Sequence, residues 1–129
     1  MKEHTTTITP RLYETDALGH INNATIAAWF EVARVRFLES LAEGSPAFAH
    51  DWILAAIQID FVDETFYGSD VAASITEASV GNTSLSVACR MIQNERLTVR
   101  GKAVLVHMDS QSKSPIRIPD SLREKIAAL

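Results

Sequence analysis

One cysteine, Cys89, stands among the 129 residues, so no internal disulfide can form. The N-terminal stretch lacks a signal pattern, and with a lone thiol this leads us to expect a reduced, cytoplasmic protein. No apolar run approaches the ~20 residues that a membrane-spanning helix requires, so no membrane span is expected. Positive charge is in deficit as well: 12 Lys and Arg face 16 Asp and Glu, a formal net charge of −4. That balance argues against nucleic acid as a partner, because phosphate contacts need a concentrated basic surface. A local basic cluster can still grip one ligand tail. Internal repeats, low-complexity tracts and domain linkers are missing, and the four histidines and the acids show no established metal-ligand spacing.

What is present is an ordinary globular balance, 47 % hydrophobic and 22 % charged, in a chain long enough for one core but not for two. We therefore expect a single domain over residues 1–129. Its organising stretch runs from Arg11 to Arg34. There the segment Asp16-Ala17-Leu18-Gly19-His20 places a carboxylate and an imidazole around a glycine, and Asn22-Asn23 supply the short polar side chains that start a helix. The first turn of that helix has unpaired N–H groups, which with the macrodipole form a site for a carbonyl oxygen gaining negative charge. Just upstream, the Asp16 carboxylate is available as a base or a nucleophile without help from a metal.

Periodicity supplies the rest of the architecture. Thr5-Thr6-Thr7-Ile8-Thr9 reads as a first strand, with Pro10 marking an irregular or edge position and the extended path continuing to Tyr13. From Asn23 to Ala42 the apolar positions Ile26, Phe30, Ala33, Phe37 and Leu41 recur at helical steps, and Gly44-Ser45-Pro46 closes the helix. After a connection through Phe48 and Trp52, four strands are expected at Ile53 to Val62, Val71 to Val80, Ser84 to Gln93 and Leu97 to Met108. Gly81-Asn82-Thr83 is a strong hairpin signal and Asn94-Glu95 a weaker one. Alternation sets Leu85, Val87, Cys89 and Met91 against Ser84, Ser86 and Arg90, and sets Leu97, Val99, Ala103 and Leu105 against Thr98, Arg100 and Lys102. A polar connection from Ser110 to Ile118 leads to a short terminal helix begun by Pro119-Asp120. Strand, long helix and four antiparallel strands make an α+β fold, a five-stranded sheet wrapped around one long central helix. Its edges must be covered or paired, and edge-to-edge self-association is the natural expectation.

Each candidate group also has a plain structural explanation. Asp16 can cap its own turn; His20 can bond the loop, orient a ligand or move a proton; Asn22 and Asn23 can be helix-start residues, leaving only the backbone at Asn23 to act on an oxyanion. Glu31 is a rival carboxylate, but a pairing with Arg34 one helical turn on suffices to explain it. Trp29, Phe30 and Phe37 fit core better than an acyl pocket, and Cys89 reads as a buried thiol.

The ordered set Asp16, Gly19-His20-Ile21-Asn22-Asn23 and Phe30-Glu31-Val32-Ala33-Arg34 resembles the hotdog-fold thioesterases of the 4-hydroxybenzoyl-CoA thioesterase superfamily. The resemblance implies that Asp16 is the catalytic carboxylate, that the N–H near Asn23 polarises a thioester carbonyl, and that His20 works beside them. It implies that Gly19, Asn22, Thr83 and Ser84 contact the substrate, and that each active site lies between subunits of a homodimer or tetramer. The expected reaction is hydrolysis of an acyl-CoA to a carboxylic acid and free CoA, with coenzyme A a part of the substrate, no retained cofactor, and an acyl-carrier protein as alternative donor. Two departures stand out: Ile26 where many relatives carry an aromatic, and Glu64 where they carry a proline. A non-catalytic acyl-CoA-binding module shares the fold, and an enoyl-CoA hydratase or dehydratase is a weaker rival because the segments those enzymes show are missing.

Overall fold

The computed structural model describes residues 1–42 and 51–129. Five strands, β1 (His4–Ile8), β2 (Trp52–Phe61), β3 (Val71–Val80), β4 (Ser84–Gln93) and β5 (Arg96–His107), form one antiparallel sheet in the order β1-β3-β4-β5-β2. The long helix α1 (Asn23–Leu41) packs on its inner face, and a short helix α2 (Asp120–Ala127) follows the last strand. This is the expected α+β arrangement. The expected helix stop at Gly44-Ser45-Pro46, and Phe48 in the connection, lie outside the described residues.

Helix α1 forms where its apolar stripe can be buried. Asn22 caps it by accepting from the Ala24 N–H at 2.8 Å, and Ile26, Trp29, Phe30, Ala33, Phe37 and Leu41 all face the core. Opposite them lie Val71, Ala73 and Ile75 of β3, Leu85, Val87, Cys89 and Met91 of β4, and Val99, Ala103 and Leu105 of β5. Each large aliphatic or aromatic side chain buried this way contributes about 1.5–3 kcal/mol. At Gly101 the Phe30 ring lies against the sheet: a Cβ there would lie 2.7 Å from Cε2 of Phe30, so only glycine lets that ring rest on β5. Burial pushes the Cys89 thiol up to about 12, against the opposing pull of the Arg34 guanidinium and the Ser74 backbone, so the sulfur is an inert core group.

Three local features differ from the expected pattern. The chain does not stay extended to Tyr13 but turns at Leu12–Glu14 as a short 3-10 helix, because the Glu14 carboxylate accepts from the Arg11 N–H at 2.7 Å and from the Trp29 indole at 3.0 Å. Thr98 is fully buried rather than on the wet face: β4 and β5 slip by one residue beside it, and its hydroxyl donates to the Met91 carbonyl at 3.3 Å. Ile118, at the end of the polar connection, is fully buried. By contrast, the weaker hairpin signal is met in full, since Asn94 and Glu95 both take positive φ (51° and 63°), as a two-residue primed turn requires.

Arg34 is buried against the Phe30 ring, its guanidinium carbon 4.8 Å from the centroid, and pairs loosely with Glu31 at 4.0 Å. Burial pulls its pKa below the usual arginine range, with Glu31 and Cys89 opposing. Among the described residues the one long element without cover is β2. It is an edge strand, exposed at every position except Trp52 and Ile59, and the apolar side chains Ile53, Leu54, Ile57 and Phe61 stand in solvent along it.

Candidate active site

The loop between the 3-10 turn and α1 closes on itself. Its backbone bridges at Thr15 and Ile21, the Asp16 N–H donates to the His20 carbonyl at 2.7 Å, and Gly19 takes φ +83°, a conformation that a side chain would strain. Asp16 Oδ1 accepts from the N–H groups of Leu18 (2.8 Å) and His20 (3.1 Å). One carboxylate oxygen therefore braces the loop while Oδ2 has no partner among the described residues. The helix start follows directly. Asn22 uses its N–H on the Glu14 carbonyl and its side chain on Ala24, which leaves the Asn23 N–H without an acceptor among the described residues.

Asp16, His20 and Asn23 line one cleft of about 410 Å³, whose floor includes Ile21 and Ile26. Its opposite wall is the loop that leaves β2, from Phe61 to Thr65. That wall is tied to the first by the Ile21 N–H donating to the Thr65 carbonyl at 2.8 Å and by a backbone bridge between His20 and Phe66. The His20 ring stands edge-on to Phe66, centroids 5.2 Å apart, and its Nε2 lies 3.3 Å from Oε1 of Glu64. Beside this pair, Asp63 is held by Arg96 at 2.6 Å. The cleft thus presents three carboxylates and one imidazole, with Asp63 engaged by a guanidinium outside the lining.

A buried amide holds this wall in place. Gln93, 1 % exposed at the end of β4, accepts from the Phe66 N–H at 2.9 Å and donates to the carbonyls of Phe66 (2.7 Å) and Ser69 (2.9 Å). Removing an amide with three such bonds costs about 2–4 kcal/mol, at roughly 1 kcal/mol per bond plus the unpaired groups left behind. Gln93→Leu, nearly equal in volume, is accordingly expected to lower the denaturant midpoint with an unchanged slope; a midpoint equal to wild type would mean that the amide does not hold the loop.

The structure brings together Asp16, Gly19, His20, Asn22 and Asn23, and keeps Thr83 and Ser84 apart from them within one chain. Those two sit at the far end of β4, whose ten residues at ~3.3 Å each place them about 30 Å from the Gln93 end. Trp29, Phe30 and Phe37 are core, and Glu31 lies exposed outside the cleft, beside Arg34. Glu64 and Gln93 escaped the reading of the sequence as site residues. Glu64 stood out there only as a replacement for proline, and Gln93 carried no signal. Among the described residues no cluster of His, Cys, Asp and Glu is arranged to hold a metal, and no helix is long and apolar enough to cross a membrane.

The model of the thioesterase-like superfamily matches residues 10–126. A structure described as a predicted thioesterase from Bacillus stearothermophilus is 33 % identical and superposes with a TM-score of 0.89, covering 98 % of this chain and 96 % of the other. A thioesterase from Thermus thermophilus, complexed with coenzyme A and Zn, is 25 % identical, with a TM-score of 0.86 over 96 % and 91 % of the two chains. The DHNA-CoA thioesterase of Staphylococcus aureus, at 23 % identity and a TM-score of 0.84 over 100 % and 93 %, shares the fold.

Proposed function

Because the chain belongs to the thioesterase-like superfamily, we propose that it hydrolyses acyl-CoA thioesters to a carboxylic acid and free coenzyme A. One observation carries the reading: Asp16 and Asn23 line the same cleft, and among the described residues the Oδ2 of the one and the N–H of the other have no partner. The thioester carbonyl oxygen would point at Asn23, where the helix N-terminus stabilises the negative charge that develops on it. Asp16 then either draws a proton from water or attacks the carbonyl carbon itself. In both routes the C–S bond breaks, water supplies the new acid's oxygen, and the thiol leaves protonated. Coenzyme A enters as part of the substrate, and an acyl-carrier protein presents the same thioester chemistry.

A second chain completes the site in this proposal. Antiparallel pairing of β2 with its copy would cover the exposed edge and run the two sheets in opposite directions. The end of one sheet that carries Thr83 and Ser84 would then lie toward the partner's Asp16 cleft, so those residues would reach substrate across the interface.

Thiol release from a panel of short, long and aromatic acyl-CoAs tests the activity. Tight binding without release would instead mark a non-catalytic acyl-CoA module. Within the panel the charges of the cleft set a preference. Asp16, Asp63 and Glu64 share the cleft with one imidazole, and Asp63 alone is engaged by a guanidinium, Arg96, so a further carboxylate on the acyl group meets like charge. Glutaryl-CoA is expected to show a kcat/KM at least about tenfold below that of pentanoyl-CoA, and the gap should narrow as salt is raised. Equal values would mean that the acyl group does not enter between these carboxylates.

A further inference from the structure

We propose that Glu64 is a positioning residue that makes His20 the proton carrier of this cleft. The inference rests on the thioesterase reading and goes beyond it, because it moves proton transfer from Asp16 alone to a pair formed across the two walls.

The geometry supports this in three ways. Glu64 Oε1 lies 3.3 Å from His20 Nε2, although the residues are on separate loops, and both line the cleft. The imidazole is held on a second side by the Phe66 ring, centroids 5.2 Å apart, and the Phe66 backbone in turn by the buried Gln93 amide. The same loop occupies Asp16 Oδ1 with two N–H donors, so only one oxygen of that carboxylate is open to the reaction. As a source of stability the pair is poor, since the Glu64 side chain is 57 % exposed and such contacts are worth little. Its value lies in what it does to the ring.

With Glu64 Oε1 3.3 Å from Nε2, a ring proton on Nε2 faces the carboxylate, and Nδ1 is then the acceptor. The charged groups that line the cleft with His20 are Asp16 from its own loop and Asp63 and Glu64 from the facing loop; Arg96 of β5, outside the lining, engages Asp63 at 2.6 Å. The first turn of α1 contributes the uncharged Asn23. In the reaction the attacking water forms its O–C bond while Asp16 Oδ2 draws its proton, which passes on to Nδ1. When the C–S bond breaks, the thiolate takes that proton back from Nδ1. The sum is one water consumed and one thiol released, with no change of oxidation state.

A double-mutant cycle tests the pair with Glu64→Gln and His20→Gln. Each single variant is expected to lower kcat by about 10- to 100-fold, the lower part of the usual range for a positioned acid or base. KM should stay within about twofold, and the double variant should be no slower than His20→Gln alone, because a positioning residue has nothing left to position. Thioesters of an acidic aryl thiol, whose leaving group needs less protonation, should lose less to Glu64→Gln than CoA esters do. Thermal melts check folding, and the imidazole ¹⁵N spectrum of wild type against Glu64→Gln reports the position of the ring proton independently of turnover. Multiplicative losses in the cycle, or a ring proton unmoved by Glu64→Gln, would overturn the pairing while leaving an Asp16-dependent thioesterase intact. A wild type that releases no thiol from any ester would overturn both.

Discussion

Asp16→Asn is expected to reduce kcat on the best acyl-CoA by about a thousandfold or more, with little change in KM or melting temperature. The substitution separates the two uses of this side chain. An asparagine carbonyl can replace Oδ1 and accept from the Leu18 and His20 N–H groups, so the loop keeps its brace. The other oxygen becomes an amide NH₂, which can neither attack a carbonyl nor take a proton from water. A purely turn-forming aspartate would therefore tolerate the change, whereas a base or nucleophile would not. A thousandfold loss corresponds to about 4 kcal/mol of transition-state stabilisation, within the range carried by a single positioned catalytic group. Steady-state kinetics on the folded variant decide the matter. Acid-quenched wild type examined by mass spectrometry would separate the two routes, since only direct attack leaves an acyl group on the enzyme. If the variant keeps its turnover, Asp16 is a turn residue and the His20–Glu64 pair is the remaining candidate; Glu31 lies outside the cleft.

Which parts of this site were legible in the sequence follows from how each wall is made. The Asp16 wall closes through bonds between residues at most a few positions apart: Leu18 and His20 to Asp16, Ala24 to Asn22. Spacing alone therefore carries its geometry. The opposite wall depends on contacts across the fold. Glu64 reaches His20 only because Ile21 bonds Thr65, and that loop keeps its place through Gln93, 27 residues away in the chain. No local pattern around Asp63-Glu64 or at Gln93 announces either contact. The same division holds for the fold. The helical stripe from Ile26 to Leu41 and the alternation of β4 express burial on one face, which period reveals. The turn at Leu12–Glu14 is decided by a single glutamate serving Arg11 and the distant Trp29, and the burial of Thr98 by a one-residue slip between strands. Those events hinge on partners that periodicity does not contain.

Replacing Leu54 and Ile57 together by lysine is expected to convert a dimer into a folded monomer and to remove most of its turnover. Both side chains are 41 % exposed in the single chain, so the change should cost the protomer little of its own core. In the proposed dimer they are buried by the partner's β2. Natural edge strands are usually short, charged or bulged against unwanted pairing; this one shifts register between Leu54 and Ala56 but runs ten residues with Asp60 its only charge and leaves Ile53, Leu54, Ile57 and Phe61 in solvent. Self-pairing centred on the strand brings position 57 near its own symmetry copy, so each lysine would meet like charge as well as lose apolar contact. Light scattering coupled to size exclusion should report a dimer or a dimer of dimers for the wild type and a monomer for the double variant, with matching far-ultraviolet spectra. Activity should fall with the dimer, because Thr83 and Ser84 lie too far along the sheet to reach the cleft of their own chain. A monomeric wild type with full turnover would sink the shared site. A double variant that stays monomeric yet fully active would separate the interface from catalysis and leave Asp16, His20 and Asn23 sufficient within one chain.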